Sequence, residues 1–271
     1  MTIAVTVIIP VKNEEANLAR CLTRLKNFAS VVVLDSGSTD KTVEIATAHG
    51  ASVLDFNWNG QYPKKRNWYL LGQRPKTDWV LFLDADEFVD DAFCNAVAAA
   101  IQVPTINGYW LNYTNYFLGK LMRFGVAQRK LALFRHGKGL YEKIAEQGWS
   151  KLDMEIHEHP IIEGEVSEIT QPITHNDDRG ILKFIDRHRD YAIWEALRFS
   201  QLTTHQTSHL TPRQLFKYRH IDKTWYAALY FFYTYVVKLG FLDGRIGLTY
   251  AAYKAWYFTT IRLLIKQARK P

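Results

Sequence analysis

"DWVLFLDADEF", residues 78–88, decides how the rest of the chain is read. Trp79 to Leu83 form a short apolar run that leads directly into Asp84, Asp86 and Glu87. Two unit charges about 5 Å apart, at an effective dielectric of about 20, repel by roughly 3 kcal/mol. Carboxylates this close therefore need a compensating charge. Asp84 and Asp86 are alternate residues leaving a strand, and oxygen-only ligands in an open site suit a hard divalent cation, Mg²⁺ or Mn²⁺. Such a cation turns the repulsion into attraction and draws in a phosphate. The plainer alternative is a turn of solvated acids capping the helix that begins near Asp90.

Upstream, the same pattern repeats. Residues 3–10 (IAVTVIIP) read as a buried strand ended by Pro10, with no basic leader or small-residue cleavage site before it. "VVVLD" (31–35) and "ASVLDF" (51–56) are further apolar strands. Between them the spacing predicts helices over Glu14–Lys26, with Leu18, Cys21, Leu22 and Leu25 on one face, and over Lys41–His49, with Ser38, Thr39 or Asp40 as caps. Helices are also predicted after Pro63 through Leu71 and from about Asp90 to Gln102. Strands alternating with single helices indicate right-handed crossovers and a mainly parallel sheet with helices on both faces. Ligands of such sheets sit beyond the carboxyl ends of the strands. "PVKNEE", "DSGSTD" and "DADE" are therefore expected along one edge.

At that edge Asp35, still on its apolar strand, is a ligand candidate, and Gly37 permits close backbone approach. "YPKKRN" (62–67) places three cations at a helix start, where the macrodipole disfavours them unless an anion is near. Solvated surface charge is the alternative, and Arg66 and Asn67 are the pair retained. No G-x-G-x-x-G follows the first strand, which argues against a nicotinamide enzyme. A phosphatase with an aspartyl nucleophile would carry it near the first strand, whereas this D-x-D follows the fourth.

The second half is less regular. "GYWLNYTNYFLG" (108–119) and "KLALFRHGKGLY" (130–141) read as hairpin partners, "EGEVSEITQPITH" (163–175) as one or two short strands, and Arg179–Phe199 as a helix. "EIHEHP" (155–160) sets Glu158 between His157 and His159, an arrangement suited to a general base. His175 stands at a strand-to-helix junction within reach of a metal. Each histidine also has the plain reading of a half-buried, hydrogen-bonded side chain.

Composition adds two bounds. Cys21 and Cys94 form no metal-ligand pattern and suit a reducing cytosol as free thiols. Net charge is +7, but from Arg213 onward 11 Lys or Arg face 2 Asp or Glu, so the basic excess lies in the tail. Residues 216–258 carry 15 aromatics without an apolar run long enough to span a bilayer. Trp and Tyr mixed with Lys and Arg suit the headgroup level of an anionic membrane. The alternative is a small helical subdomain with solvated charges. No nucleic-acid motif is present in the tail, so no nucleic-acid partner is expected.

Taken together, "VIIPVKNEEANLARCL", "VVVLDSGSTDKTVEIA", "KKRNWYL" and "WVLFLDADE" resemble the family 2 inverting glycosyltransferases of the GT-A fold, in the family's order over most of residues 5–88. "EIHEHPIIEGEV", "ITHNDD" and "KLGFLDGRIGL" are similar to a bacterial subgroup, the lipopolysaccharide inner-core glucosyltransferases. The resemblance implies an α/β GT-A domain over residues 1–205, with a nucleotide-sugar-binding half at 1–103 and an acceptor-side half at 104–205. It also implies a helical membrane-associating region at 206–271. Pro10, Val11, Glu14 and Asp35 would hold the uracil and ribose of a UDP-sugar. Arg66 would lie near the nucleotide, Asp84 would face the ribose, and Ala85 would belong to the same contact set. Asp86 would bind a divalent metal, Mn²⁺ or Mg²⁺, with His175 a further metal or phosphate contact.

The family's base usually lies in a Glu-Asp pair. Here His157-Glu158 is the nearest match, which places the base at Glu158 and leaves Asp153 and Asp177 open. The implied acceptor is a lipid-anchored glycan, and the implied location is cytoplasmic, peripheral on the inner face of the bacterial cytoplasmic membrane. Alternatives are transfer to a polyprenyl-phosphate lipid, or a non-catalytic binding protein that keeps the nucleotide-sugar fold.

Overall fold

In chain order the strands and helices of the first 178 residues are β1 (Ile3–Val11), α1 (Leu18–Thr23), β2 (Phe28–Asp35), α2 (Thr42–Ala48), β3 (Ser52–Asp55), α3 (Lys65–Gly72), β4 (Trp79–Phe82), β5 (Glu87–Phe88), α4 (Asp91–Ala100), β6 (Ile106–Phe117), β7 (Lys120–Met122), β8 (Arg129–Arg135), β9 (Gly139–Tyr141), β10 (Pro160–Ile162) and β11 (Glu165–His175). Helices α5 (Gly180–Gln201), α6 (Pro212–His220), α7 (Tyr226–Phe232) and α8 (Gly244–Ala268) follow. This computed structural model describes residues 2–144, 150, 152–153, 160–177, 179–202 and 210–269. The chain divides into two compact units. One is Met1–Gly119 with Ala127–Asp178, and the other is Lys120–Val126 with Arg179–Pro271.

The main sheet of the first unit runs β3-β2-β1-β4-β8-β6-β11-β5. β1 is parallel to both β2 and β4, and β2 is parallel to β3. A strand flanked on both sides and covered on both faces must be apolar throughout, and β1 is buried at every residue but Ala4. The sheet then changes direction. β8 is antiparallel to β4 and to β6, β11 is parallel to β6, and β5 is antiparallel to β11. The α/β architecture with its parallel core is as expected, and the 108–119 and 130–141 segments do pair antiparallel. Within 163–175 a single long strand, β11, spans Glu165–His175.

Register aligns the carboxyl ends. Val11 faces Asp35, Asp35 faces Asp55, and Ile8 faces Phe82. Pro10 is tolerable in this central strand because of parity. The Leu83 N–H bonds to the Ile8 carbonyl on the β4 side, so the amide that Pro10 lacks would face the same side, just where β4 leaves the sheet.

Helix α1 is shorter than the Glu14–Lys26 segment that periodicity suggests. Asn13 adopts a left-handed conformation (φ 56°), and Glu14 to Asn17 form a turn closed by the Asn17 and Leu18 amides on the Glu14 carbonyl. The amides of Glu14 and Glu15 are taken by Thr42 Oγ1 and Asp40 Oδ2, and regular helix begins at Leu18.

In the second unit α5 and α7 pack on α8 around Ala192, Ala196, Ile221, Tyr226, Tyr257, Phe258, Ile261 and Ile265. Helix α5 thus falls in this unit. Thr211 and Gln214 form a reciprocal capping box at the start of α6. Gly125 donates to the Lys238 carbonyl at 2.8 Å, and Asp243 accepts from the amides of Arg123 and Phe124. The turn Gly240–Asp243 lies tight against the start of α8: a Cβ at Gly247 would overlap the Gly240 carbonyl oxygen. Gly247→Ala must therefore push helix from turn, and a loss of about 2 kcal/mol is expected in chemical denaturation. Gly72→Ala, with open space around its Cβ position, serves as the control.

Candidate active site

The carboxyl edge of β1 and β2 carries two loops that are hydrogen-bonded into one piece. Asn13 donates its amide to Ser38 Oγ at 2.9 Å and accepts the Thr39 N–H at 2.8 Å. Glu15 accepts the Lys41 N–H at 3.1 Å, and Glu14 donates its amide to Thr42 Oγ1. Pro10 and Val11 are buried beneath these loops. The Asp35 carboxylate, 3% exposed, accepts the amides of Gly37 and Ser38 and the Ser38 hydroxyl at 2.5 Å. Gly37 makes this turn possible with φ 72°. Ser38 therefore closes on Asp35 and does not cap α2. Asp40 serves there, accepting the Thr42 amide and hydroxyl.

Next along the edge, β4 releases Asp84, Ala85, Asp86 and Glu87. The third carboxylate turns inward. Glu87, 1% exposed, accepts the Tyr113 hydroxyl, pairs with Lys130 of β8, and receives the Asp84 amide at 2.9 Å. Burial raises the Glu87 carboxyl above its ordinary range against the pull of Lys130, and raises the Tyr113 hydroxyl as well. Nothing in the sequence singled out Lys130. It is one of three cations in β8, with Arg129 and Arg135, and only the β4–β8 and β6–β8 pairings bring it to the acidic turn.

Asp84 remains half-exposed and pairs with Arg66 at 3.0 Å. Burial pushes its carboxyl up, but Lys130 and Arg66 outweigh that and hold it below the ordinary carboxylate range. Ala85 is buried. Asp86 meets His175: Nε2 lies 3.4 Å from Oδ2, and the Asn176 amide donates to the Asp86 carbonyl at 3.0 Å. The two-residue strand β5 is the cause. It pairs with the end of β11, setting His175 opposite Glu87 and, on the other side, opposite Asn115. His175 Nδ1 lies 3.3 Å from Asn115 Oδ1.

Helix α3 supplies the cations, in a different way from that expected. Lys64 and Lys65 are buried, not solvated. Lys65 Nζ donates to the Val11 carbonyl at 3.1 Å and pairs with Asp153 at 3.2 Å, and Asp153 also accepts the Ser36 hydroxyl. Burial depresses the Lys65 ammonium below its usual range, with Asp153 opposing. Arg66 reaches Asp84 and lies over the Tyr141 ring. Asn67 is a structural latch, because its side-chain amide exchanges two 2.9 Å hydrogen bonds with the Tyr141 backbone. The cation worth retaining from "YPKKRN" beside Arg66 is Lys65.

Glu158, His157 and His159 lie outside the described residues. Of the other base candidates, Asp153 is held as above, and Asp177 accepts from Asn17 Nδ2 at 3.4 Å. No cluster of three or more His, Cys, Asp or Glu arranged to hold a metal occurs among the described residues. The Asp86–His175 pair still fits a Mg²⁺ or Mn²⁺ ion. Such ions keep several waters and take one or two protein groups plus substrate phosphates. Asp86 supplies a hard oxygen, and a neutral His175 supplies a nitrogen beside it.

A family model described as Glycosyl transferase family 2 matches residues 6–145. An uncharacterized glycosyltransferase of Rickettsia bellii (strain RML369-C) is 41% identical over 88 residues, 32% of this chain and 29% of that protein. The lipopolysaccharide core biosynthesis glycosyltransferase LpsC of Rhizobium meliloti (strain 1021) is 28% identical over 167 residues, 57% of this chain and 56% of LpsC. In both relatives the chain spans less than two thirds of their length. Among solved structures, S. aureus TarS 1-349 aligns over 99% of this chain and 91% of its own, with a TM-score of 0.42 and 16% identity. The family match runs from β1 to just beyond β9 and takes in the ends of β1, β2 and β4, but not His175 at the end of β11. From residue 6 to residue 145 of 271, the chain belongs to glycosyl transferase family 2.

Proposed function

We propose that the protein is an inverting, metal-dependent transferase. It moves a hexose, glucose being the expected sugar, from a UDP-sugar to a hydroxyl of a lipid-anchored glycan such as the lipopolysaccharide core. It works on the cytoplasmic face of the membrane. The observation that carries this reading is the gathering on one sheet edge of Val11, Asp35, Asp84 with Arg66, and Asp86 with His175 at 3.4 Å. The likeness to LpsC supports the choice of acceptor class.

In this reading Pro10, Val11, Glu14 and Asp35 receive the uracil and ribose, and Asp84 and Ala85 line the ribose side. Arg66 lies near the nucleotide, with its charge balanced by Asp84 until a diphosphate arrives. Asp86 and His175 hold the cation. When bound, that cation acts as a Lewis acid for charge growing on the β-phosphate. The acceptor hydroxyl attacks the anomeric carbon from the face opposite UDP. As the new C–O bond forms, the bond to the β-phosphate oxygen breaks, and UDP leaves with the electron pair. Glu158 takes the hydroxyl proton. Asp153 is poorly suited to that task. Burial opposes its ionisation, but Lys65 and the Ser36 hydroxyl outweigh burial and keep the carboxyl below its ordinary range.

Thermal-shift screening of UDP-sugars with Mn²⁺ tests the donor site. One sugar nucleotide is expected to stabilise the protein, EDTA to abolish the effect, and Asp86→Ala to lack it. Asp90→Ala is expected to melt lower by about 1 kcal/mol, because Asp90 caps α4 through the Phe93 amide, yet to keep the ligand shift. A donor shift indifferent to EDTA and to Asp86→Ala would defeat the metal–diphosphate reading. Glu158→Gln is expected to cut turnover at least about a hundredfold while leaving donor binding in place. Equal turnover in wild type and variant would move the base elsewhere.

The edge also sets an acid limit. Asp84 and Asp153 both have depressed carboxyls in the folded state. The stability they contribute is present above the unfolded value near 3.9 and is lost as pH falls through the folded values. The melting temperature is expected to hold from neutrality to about pH 5 and to fall below about pH 4. Asp153→Asn leaves the buried Lys65 unpaired. At pH 7 it is expected to lose about 3 kcal/mol, with a shallower acid fall than wild type.

A further inference from the structure

The second unit carries one helix with its apolar side outward. α7 continues without a break through Tyr233–Val237, which forms a π-helical turn. Tyr226, Tyr230 and Thr234 face the core of the unit. The opposite side presents Trp225, Leu229, Phe232, Tyr233, Val236 and Val237, all exposed, with Phe232 and Val237 at 54%. The spacing is i, i+4, i+7, i+8, i+11, i+12, a continuous stripe along one helix face. Leu239, Phe241 and Leu242 extend it through the following turn. Single exposed apolar residues are ordinary, but a contiguous stripe of this kind marks an interaction surface.

Charge points to the occupant. From Asp222 to Arg269 the sequence holds seven Lys or Arg and two acids: Asp222, which pairs with Lys223 at 3.4 Å and Arg269 at 3.1 Å, and Asp243. Asp243 is turned onto the backbone amides of Arg123 and Phe124. Lys223 and Lys238 flank the stripe at its two ends, both exposed. Among the described residues no helix is long and apolar enough to cross a membrane. An apolar stripe edged by Trp, Tyr and Lys, in a segment where cations outnumber acids seven to two, matches a bilayer with anionic headgroups. A protein partner bearing acidic side chains would leave the length of the stripe unmatched.

We infer that Trp225–Leu242 is a monotopic insertion element: it seats the Leu229–Phe232–Val236 side among lipid acyl chains and holds Lys223 and Lys238 at anionic headgroups. The inference rests on the lipid-anchored acceptor of the proposed function, and it goes further in making apolar insertion, not surface charge alone, the source of attachment. Because the stripe lies on the outer side of its helix, it can be altered without touching the core.

Co-sedimentation of the full chain with vesicles of phosphatidylglycerol and phosphatidylcholine provides the test, beside phosphatidylcholine alone. Binding is expected to require the anionic lipid, to survive in part at 0.5 M NaCl, and to fall more than about tenfold in Leu229→Ser/Phe232→Ser/Val236→Ser. Trp225 fluorescence, isolated by comparison with Trp225→Phe, is expected to be quenched by brominated acyl chains. Leu182→Ser, on α5 at 75% exposure, is expected to bind as wild type does. The inference is overturned by complete release in high salt with no effect of the triple variant. It is equally overturned if wild type ignores vesicles while the stripe drives a concentration-dependent dimer. Melting of each variant with and without a UDP-sugar and Mn²⁺ separates the two readings. Insertion without any donor shift sinks the enzymatic reading alone, and a donor shift without insertion sinks this one alone.

Discussion

Carboxylates crowded into a four-residue turn can leave a strand together only if each meets a partner of its own. Asp84 meets Arg66 of α3, Asp86 meets His175 of β11, and Glu87 meets Lys130 of β8. Each partner comes from a different element, so the repulsion at the exit of β4 is resolved by tertiary structure and not locally. The three carboxylates are also sorted by that arrangement. Glu87 is taken into the interior as a structural pair with Tyr113 and Lys130, while Asp84 stays half-exposed beside a guanidinium. The mixed strand directions serve this sorting. The antiparallel β8 carries Lys130 underneath, and the parallel β11 returns His175 to the same edge through β5.

Residues 3–83 were readable because parallel strands buried on both faces leave an unbroken apolar signature, and because ligand-bearing turns must follow their carboxyl ends. The alignment of Val11, Asp35 and Phe82 with its neighbours follows from that alone. What escaped notice was long-range. Lys65 is three residues beyond Tyr62 in an exposed-looking basic run, yet its ammonium crosses to the Val11 carbonyl and Asp153. Asn67 was retained with Arg66 from the basic run at the helix start, but the backbone of β9 takes both of its hydrogen-bonding ends. The late start of α1 was likewise invisible, since the turn before it opens on the left-handed Asn13 and is bonded to a loop 25 to 28 residues away.

The second unit has a different logic. Its core is small and aromatic, held by α5, α7 and α8, and aromatic residues are left over outside it. Composition alone could not separate the two sets, because Tyr226 and Trp225 are adjacent, yet one is buried and the other exposed.

The interlocked loops after β1 and β2 carry a consequence for thermodynamics. Asn13, Glu14 and Glu15 exchange hydrogen bonds with Ser38, Thr39, Asp40 and Thr42 within the folded chain itself. Ordering a loop on association typically costs about 0.5–1.5 kcal/mol for each side chain immobilised. Here that cost is met during folding, so the cradle behaves as a rigid receptor. Its calorimetric signature on meeting a planar ligand would be a small entropic penalty and an association rate set by diffusion and orientation, with no slow rearrangement step.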